Sequence, residues 1–147
     1  MIVTSNSVQH EYTIPNLSII GEVDGLENVA YCWAEIEGFS KFGSYVGNGN
    51  ADGPFVYCGF KPAWLLVRRT NDTGDWIIFD SSRSPVNGSN LFLYPNLTNT
   101  DAPTNIGFDF LSNGFKLRGA ISNRNASGGT YIFAAFAESP FTTANAK

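Results

Sequence analysis

"AWLLVRRTNDTGDWIIFD", residues 63–80, sets two short apolar runs on either side of Asn71-Asp72-Thr73-Gly74. Neither run is long enough for a stable helix, and both are rich in β-branched and aromatic residues, so each reads as a strand. The four residues between them have hairpin chemistry: Asn and Asp tolerate a turn, and Gly74 is expected to supply a positive φ. The same rhythm extends in both directions. Upstream lie "YTIPNLSII", "VAYCWAEIEGF" and "PFVYCGF"; downstream lie "LFLYP", "FDFLSNGFKLRG" and "TYIFAAFAES", each bounded by Gly, Asn, Asp or Pro. Asn113-Gly114, between two apolar runs, is the strongest short hairpin signal in the chain. About eight to ten strands of about five residues, with a turn signal about every 10 residues, predict an all-β, antiparallel β-sandwich of jelly-roll or lectin-like type.

The composition agrees. The chain has 147 residues, enough for one good core, with 14% aromatic and only 15% charged residues. A net charge of −4, with no basic cluster beyond Arg68-Arg69, lacks the footprint needed to neutralise phosphates and argues against nucleic acid as a partner. No run approaches the roughly 18 apolar residues of a membrane span, so no membrane partner is expected. The N-terminus "MIVTSNSVQHEY" has neither a basic start nor an apolar core and predicts no Sec signal. Cys32 and Cys58 sit inside apolar runs without a CxxC or Cys/His pattern, and read as buried free thiols. The Asn-x-Ser/Thr triplets, Asn125-Ala126-Ser127 among them, carry no meaning without secretion.

One polar stretch invites a functional reading: "GSYVGNGNADGP", residues 43–54. A P-loop would follow its glycines with Lys and Ser/Thr, whereas here Pro54-Phe55 follows. A dinucleotide site would open a helix, whereas "FVYCGF" alternates as a strand. Asn48, Asn50, Asp52 and Gly53 fit the start of a calcium loop loosely, but the position for the bidentate Glu is Gly59 and only one carboxylate is present. No metal and no cofactor are therefore expected. Two readings stay open, a structural turn and a surface loop that also recognises a ligand.

Catalysis has little footing. The single histidine, His10, lies in a peripheral-looking N-terminal segment, which leaves a nucleophile–histidine arrangement unsupported. Asp72, Asp75, Asp80 and Asp109 could in principle supply a glycosidase pair, but Asp72 and Asp75 flank a turn where solvation explains them. Glu35 and Glu37 alternate with Ile36, as on the wet face of a strand. No catalytic residue is assigned and the chain is not expected to be an enzyme. Trp64 and Trp76 stand at strand starts, where core packing is the default. Tyr45, in the glycine-rich stretch, and Tyr94, before Pro95, read as exposed. Sugars stack on exposed aromatic faces and bond to planar polar groups, so Tyr45, Asn48, Asn50, Asp52 and Tyr94 are the candidate ligand-binding residues.

"NVAYCWAEIEGF" (28–39) and "YIFAAFAESPF" (131–141) echo each other through Trp33-Ala34-Glu35 and Phe136-Ala137-Glu138. Their starts lie about 100 residues apart, the size of a module, although two similar buried strands would look the same. The expected organisation is an N-terminal segment over 1–27, an arm or first strands, followed by a sandwich module over 28–147.

"AEIEGFSKFGSYVGNGNADGPFVYCGFKPAWLLVRRTNDTGDWIIFD", "DFLSNGFKLRG" and "NASGGTYIFAAFAESPF" resemble a C-terminal β-rich module of bacteriophage tail-fibre-like and other virion structural proteins. The matching words span 35–80 and 108–141. The resemblance implies a virion component, assembled in the host cytoplasm, with other virion proteins as partners and a homo-oligomer, by analogy a trimer. It transfers no catalytic motif. It implies a tail fibre or receptor-binding tip that meets a bacterial surface glycan. The alternatives are a capsid or tail decoration or connector without a ligand, and a polysaccharide depolymerase. Such modules usually end longer chains, so the expectation is either a small free-standing virion protein or a fibre tip.

Overall fold

The computed structural model describes residues 2–5, 28–31, 33–85, 87, 89–100 and 102–140. The chain divides into two units, 1–34 and 35–147. In the first, β1 (Ile2–Ser5) pairs antiparallel with β2 (Asn28–Tyr31), from Ile2 opposite Tyr31 to Ser5 opposite Asn28. His10 and Cys32 lie outside the described residues.

The second unit is one eight-stranded antiparallel sheet. Its strands are β3 (Ser40–Val46), β4 (Asp52–Tyr57), β5 (Pro62–Arg69), β6 (Ile77–Asp80), β7 (Ser89–Leu93), β8 (Ala102–Leu111), β9 (Gly114–Arg118) and β10 (Thr130–Ala137). A four-residue helix, α1 (Ser122–Asn125), links β9 to β10. The spatial order is β3-β10-β5-β6-β7-β8-β9-β4. β5 to β9 form a meander in which chain neighbours are sheet neighbours. β10 returns to pair on both sides, Phe133 opposite Gly43 of β3 and Val67 of β5. The all-β sandwich expected from the strand rhythm is what the chain forms, and the meander sets its strand order.

Alternation builds the core. Leu65 and Val67 of β5, Ile77 and Phe79 of β6, Phe108 of β8, Phe115 and Leu117 of β9, and Tyr131 and Ala135 of β10 are fully buried at every second position. Burying a side chain of this size stabilises by about 1.5–3 kcal/mol relative to leaving it in water. Aromatic contacts between strands that are not ladder neighbours show the sheet folding over on itself. Phe115 of β9 meets Phe133 of β10 at 5.2 Å and Tyr45 of β3 at 6.0 Å, while Phe79 of β6 meets Phe108 of β8 at 4.8 Å.

Two turns differ from their sequence reading. The β5–β6 connection spans 70–76, and Gly74 is not among the glycines with positive φ. Side chains hold this turn instead. Asn71 Oδ1 accepts from Arg69 Nε (3.0 Å) and Thr130 N–H (3.1 Å), and Asn71 Nδ2 donates to Gly128 O (3.1 Å). Asn96 Oδ1 accepts from Trp76 N–H (3.1 Å), which anchors the far end. In the β8–β9 hairpin the two-residue loop is Ser112-Asn113, because Leu111 pairs with Gly114. Gly114 is thus the first residue of a strand. It is glycine because its ladder neighbour β4 comes close: a Cβ there would sit 2.1 Å from Val56 O.

Gly114→Ala is therefore expected to destabilise the protein by about 2 kcal/mol or more, as overpacking against backbone does. Gly74→Ala, whose added Cβ would meet only Arg69 Cβ at 3.4 Å, is expected to stay within about 0.5 kcal/mol of the parent. Urea unfolding midpoints of the two variants check both; equal losses would refute the assignment of the close approach to Gly114.

Candidate functional site

The polar stretch 43–54 divides between two strands and a short loop. Gly43, Ser44, Tyr45 and Val46 belong to β3, Asp52, Gly53 and Pro54 to β4, and only 47–51 connect them. Strand alternation turns Tyr45 inward. It is 8% exposed, lies stacked on Tyr131 at 5.0 Å and 14°, and donates from Oη to Arg124 O at 2.9 Å. Burial, reinforced by Tyr131, pushes its phenol well above the usual value. Tyr45 is a core residue, and its expected exposure is corrected. Tyr94, expected to be exposed, is half-buried with its ring edge-on to Phe92 at 5.0 Å.

The loop amides spend their bonding capacity on the chain itself. Asn48 Oδ1 accepts from Asn50 N–H (2.9 Å), Asn50 Oδ1 accepts from Asp52 N–H (3.0 Å), and Asn48 Nδ2 donates to Asp52 O (2.9 Å). Behind them stands Asn125, fully buried. Its Oδ1 accepts from Asn48 N–H at 2.9 Å, and its Nδ2 donates to Gly119 O (2.8 Å), Asn50 O (2.9 Å) and Asn48 Oδ1 (3.2 Å). The backbone joins in, with Gly49 N–H donating to Asn125 O at 3.1 Å and Gly119 N–H to Ala51 O at 3.1 Å. Glycine is required by this closeness. A Cβ on Gly47 would lie 2.4 Å from Ala126 O, and one on Gly53 would lie 2.7 Å from Leu117 O.

Asp52 is the loop's one carboxylate. It pairs with Lys116 Nζ at 2.8 Å, with Arg118 Nη1 at 3.8 Å, and Lys116 also donates to Gly53 O at 2.8 Å. Lys116 first, then Arg118, holds the Asp52 carboxyl below its ordinary range. Of the predicted residues, Asn48, Asn50 and Asp52 do come together, the first two on Asn125 and the third on Lys116. Sequence reasoning missed Asn125, which entered it only as the first residue of the triplet Asn125-Ala126-Ser127.

The four aspartates weighed as a glycosidase pair are also occupied. Asp72 pairs with Arg69 (2.8 Å), Asp80 with Arg83 (2.7 Å) and Asp109 with Arg118 (2.6 Å), while Asp75 accepts from Asn96 Nδ2 (2.9 Å). Glu35 and Glu37 do not lie on a strand as expected: Ile36 forms an isolated bridge with Ser40 and 37–39 turn. Trp64 and Trp76 are half-buried, Trp64 edge-on to Phe136 at 5.5 Å and Trp76 beneath Arg68 at 5.3 Å. Among the described residues no three His, Cys, Asp or Glu side chains gather to hold a metal ion. Cys58 is a buried free thiol, and burial pushes it up to about 12.

Fold and site together define an all-β sandwich whose most ligand-like loop is an internal lock. Residues 2–140 match the family described as a domain of unknown function (DUF7483), and the chain belongs to that family. No curated protein and no solved structure matches the chain.

Asn125→Ala strands Asn48 N–H, Asn50 O and Gly119 O together, and is expected to cost about 3 kcal/mol or more by denaturant unfolding. Asn125→Asp turns the donor group into a carboxylate facing carbonyls, so its folded-state pKa is raised. Its stability should recover as pH falls from 7 towards 5 and the acid becomes a donor again; a flat profile would refute the lock. In a Cys32→Ser background, Cys58 is expected to resist a disulfide reagent at pH 8 until the protein unfolds. Because its folded pKa lies above the unfolded value, its contribution weakens stability only as pH rises from about 9 towards 12.

Proposed function

We propose that the chain is a structural component of a bacteriophage particle, of tail-fibre or receptor-binding-tip type, which presents a contact surface to a bacterial glycan and performs no chemistry itself. The observation that supports this reading is the Asn125 lock. Two of the sequence words that resemble phage fibre modules, "GNGNAD" and "NASGGTY", are bonded to each other through Asn125, and a third, "LSNG", turns β8 into β9. The resemblance is therefore one of scaffold, and scaffold is what a fibre module supplies. Its partners are other virion proteins and, by analogy, two further copies of itself. The spent loop also favours a second reading, a decoration or connector with no ligand.

The test is proteomic quantification of purified particles of the phage that encodes the chain, with digestion of host polysaccharide followed in parallel. Stoichiometric presence in the particle, without release of new reducing ends, is the expected result. A protein confined to the infected-cell lysate would overturn the virion reading, and saccharide cleavage would replace it with the depolymerase.

A further inference from the structure

β4 presents aromatic side chains to water. Val56 of β4 and Cys58 just beyond it turn inward, and Phe55 and Tyr57 turn outward at 44% and 64% exposure. The Phe55 ring lies beside Gly114, 2.9 Å from where a Cβ would stand. Tyr57 has a different neighbour. A cleft of about 420 Å³ opens between the entrance to β3 and the exit from β4, bordered by Glu35, Glu37, Gly38, Lys41, Tyr57 and Gly59. That volume is in the range of small-ligand sites.

A glycine stands on each wall of the cleft. Gly38 (φ +71°) and Gly59 (φ +84°) hold left-handed backbone that other residues rarely adopt. A Cβ at Gly38 would meet nothing within 4 Å, and one at Gly59 would approach only Tyr57, at 3.6 Å from its Oη. The ring of Tyr57 is thus left uncovered from that side. Polar groups stand opposite: Lys41 Nζ is paired with Glu35 Oε1 at 2.5 Å, and the Glu37 side chain is exposed. Two carboxylates and one ammonium leave the border with one net negative charge.

An aromatic face beside planar acceptors is the chemistry that sugars use, their C–H faces stacking on the ring while hydroxyls bond to carboxylates. The negative border repels uronic, sialic and phosphorylated sugars and accepts neutral or cationic ones. We propose that this cleft binds a neutral or amino-bearing saccharide, stacked on Tyr57 and hydrogen-bonded to Glu37 and to the Glu35–Lys41 pair. The proposal deepens the glycan-contact reading and relocates it from the 47–51 loop. Its test is separable from that reading, because particle content is measured without any sugar.

The experiment is calorimetric titration of the full chain with four trisaccharides: maltotriose, chitotriose, its deacetylated amino form, and trigalacturonate. Saturable binding to at least one of the first three and none to trigalacturonate is expected. Tyr57→Ala should weaken binding by about tenfold or more, as loss of a central aromatic contact does, with an unchanged melting temperature because the side chain is exposed. Tyr57→Phe should retain most of the affinity, and Glu37→Gln should weaken the amino sugar more than the neutral ones. Three results would each overturn the proposal: no binding to any of the first three sugars, binding that Tyr57→Ala leaves intact, or a preference for trigalacturonate.

Discussion

The side-chain amide of Asn125 is the interaction on which the rest of the sandwich depends. The eight-stranded sheet has two ends, β3 and β4, and folding it over brings those ends together without a ladder between them. What joins them is the 47–51 loop, and what fixes that loop is one planar amide. Its acceptor side takes Asn48 N–H and its donor side reaches Asn50 O and Gly119 O. Three connections at the same end of the sandwich therefore share one buried residue: β3 to β4, β9 to α1, and α1 to β10. A hydrogen bond of this kind adds only about 1 kcal/mol net, but a buried donor or acceptor left without it costs more. The network thus acts chiefly against alternatives, since any other placement of the loop leaves several backbone groups unsatisfied at once.

The residues beside Asn125 extend the same constraint into the core. Arg124, also buried, lies over the rings of Phe79 and Phe92 at 5.7 and 5.8 Å, and burial lowers its pKa. Its carbonyl accepts from Tyr45 Oη. Tyr131 Oη donates to Ser122 O at 2.7 Å and accepts from Ala126 N–H at 2.8 Å, so the stacked pair Tyr45–Tyr131 grips the α1 turn from below. The partners lie more than 70 residues apart in sequence for the Asn48–Asn125 and Tyr45–Arg124 bonds. Such long loops must close before these contacts repay the cost.

The strand rhythm was legible because alternation is a local property. Leu65 and Val67, or Tyr131, Phe133 and Ala135, declare their inward face within a few residues. What could not be read locally was why each glycine and asparagine stood where it did. Gly114 looked like the pivot of a turn, yet it is dictated by Val56 O of a strand more than 50 residues upstream. Tyr45 looked exposed because polar residues surround it in sequence. Its side of β3 is instead set by Phe115, Tyr131 and Phe133 from two later strands. Asn125 gave a weak local signal and has a partner 77 residues away.

That 43–54 reads equally as a structural turn and as a ligand loop has a physical cause. Glycines that let backbones approach, and asparagines that offer planar donors and acceptors, are equally suited to an external ligand and to another part of the same chain. Composition does not distinguish the two cases; what distinguishes them is whether the complementary groups lie inside the molecule. For Asn48, Asn50 and Asp52 they do, in Asn125, Lys116 and the loop's own backbone. Tyr57 is the opposite case. It sits in a plain alternating strand and carries no motif, yet its ring faces a cleft whose glycine walls leave it uncovered. In a sandwich built this way, residues that resemble a binding motif close the fold, and the aromatic face left open to solvent is one that an ordinary strand turns outward.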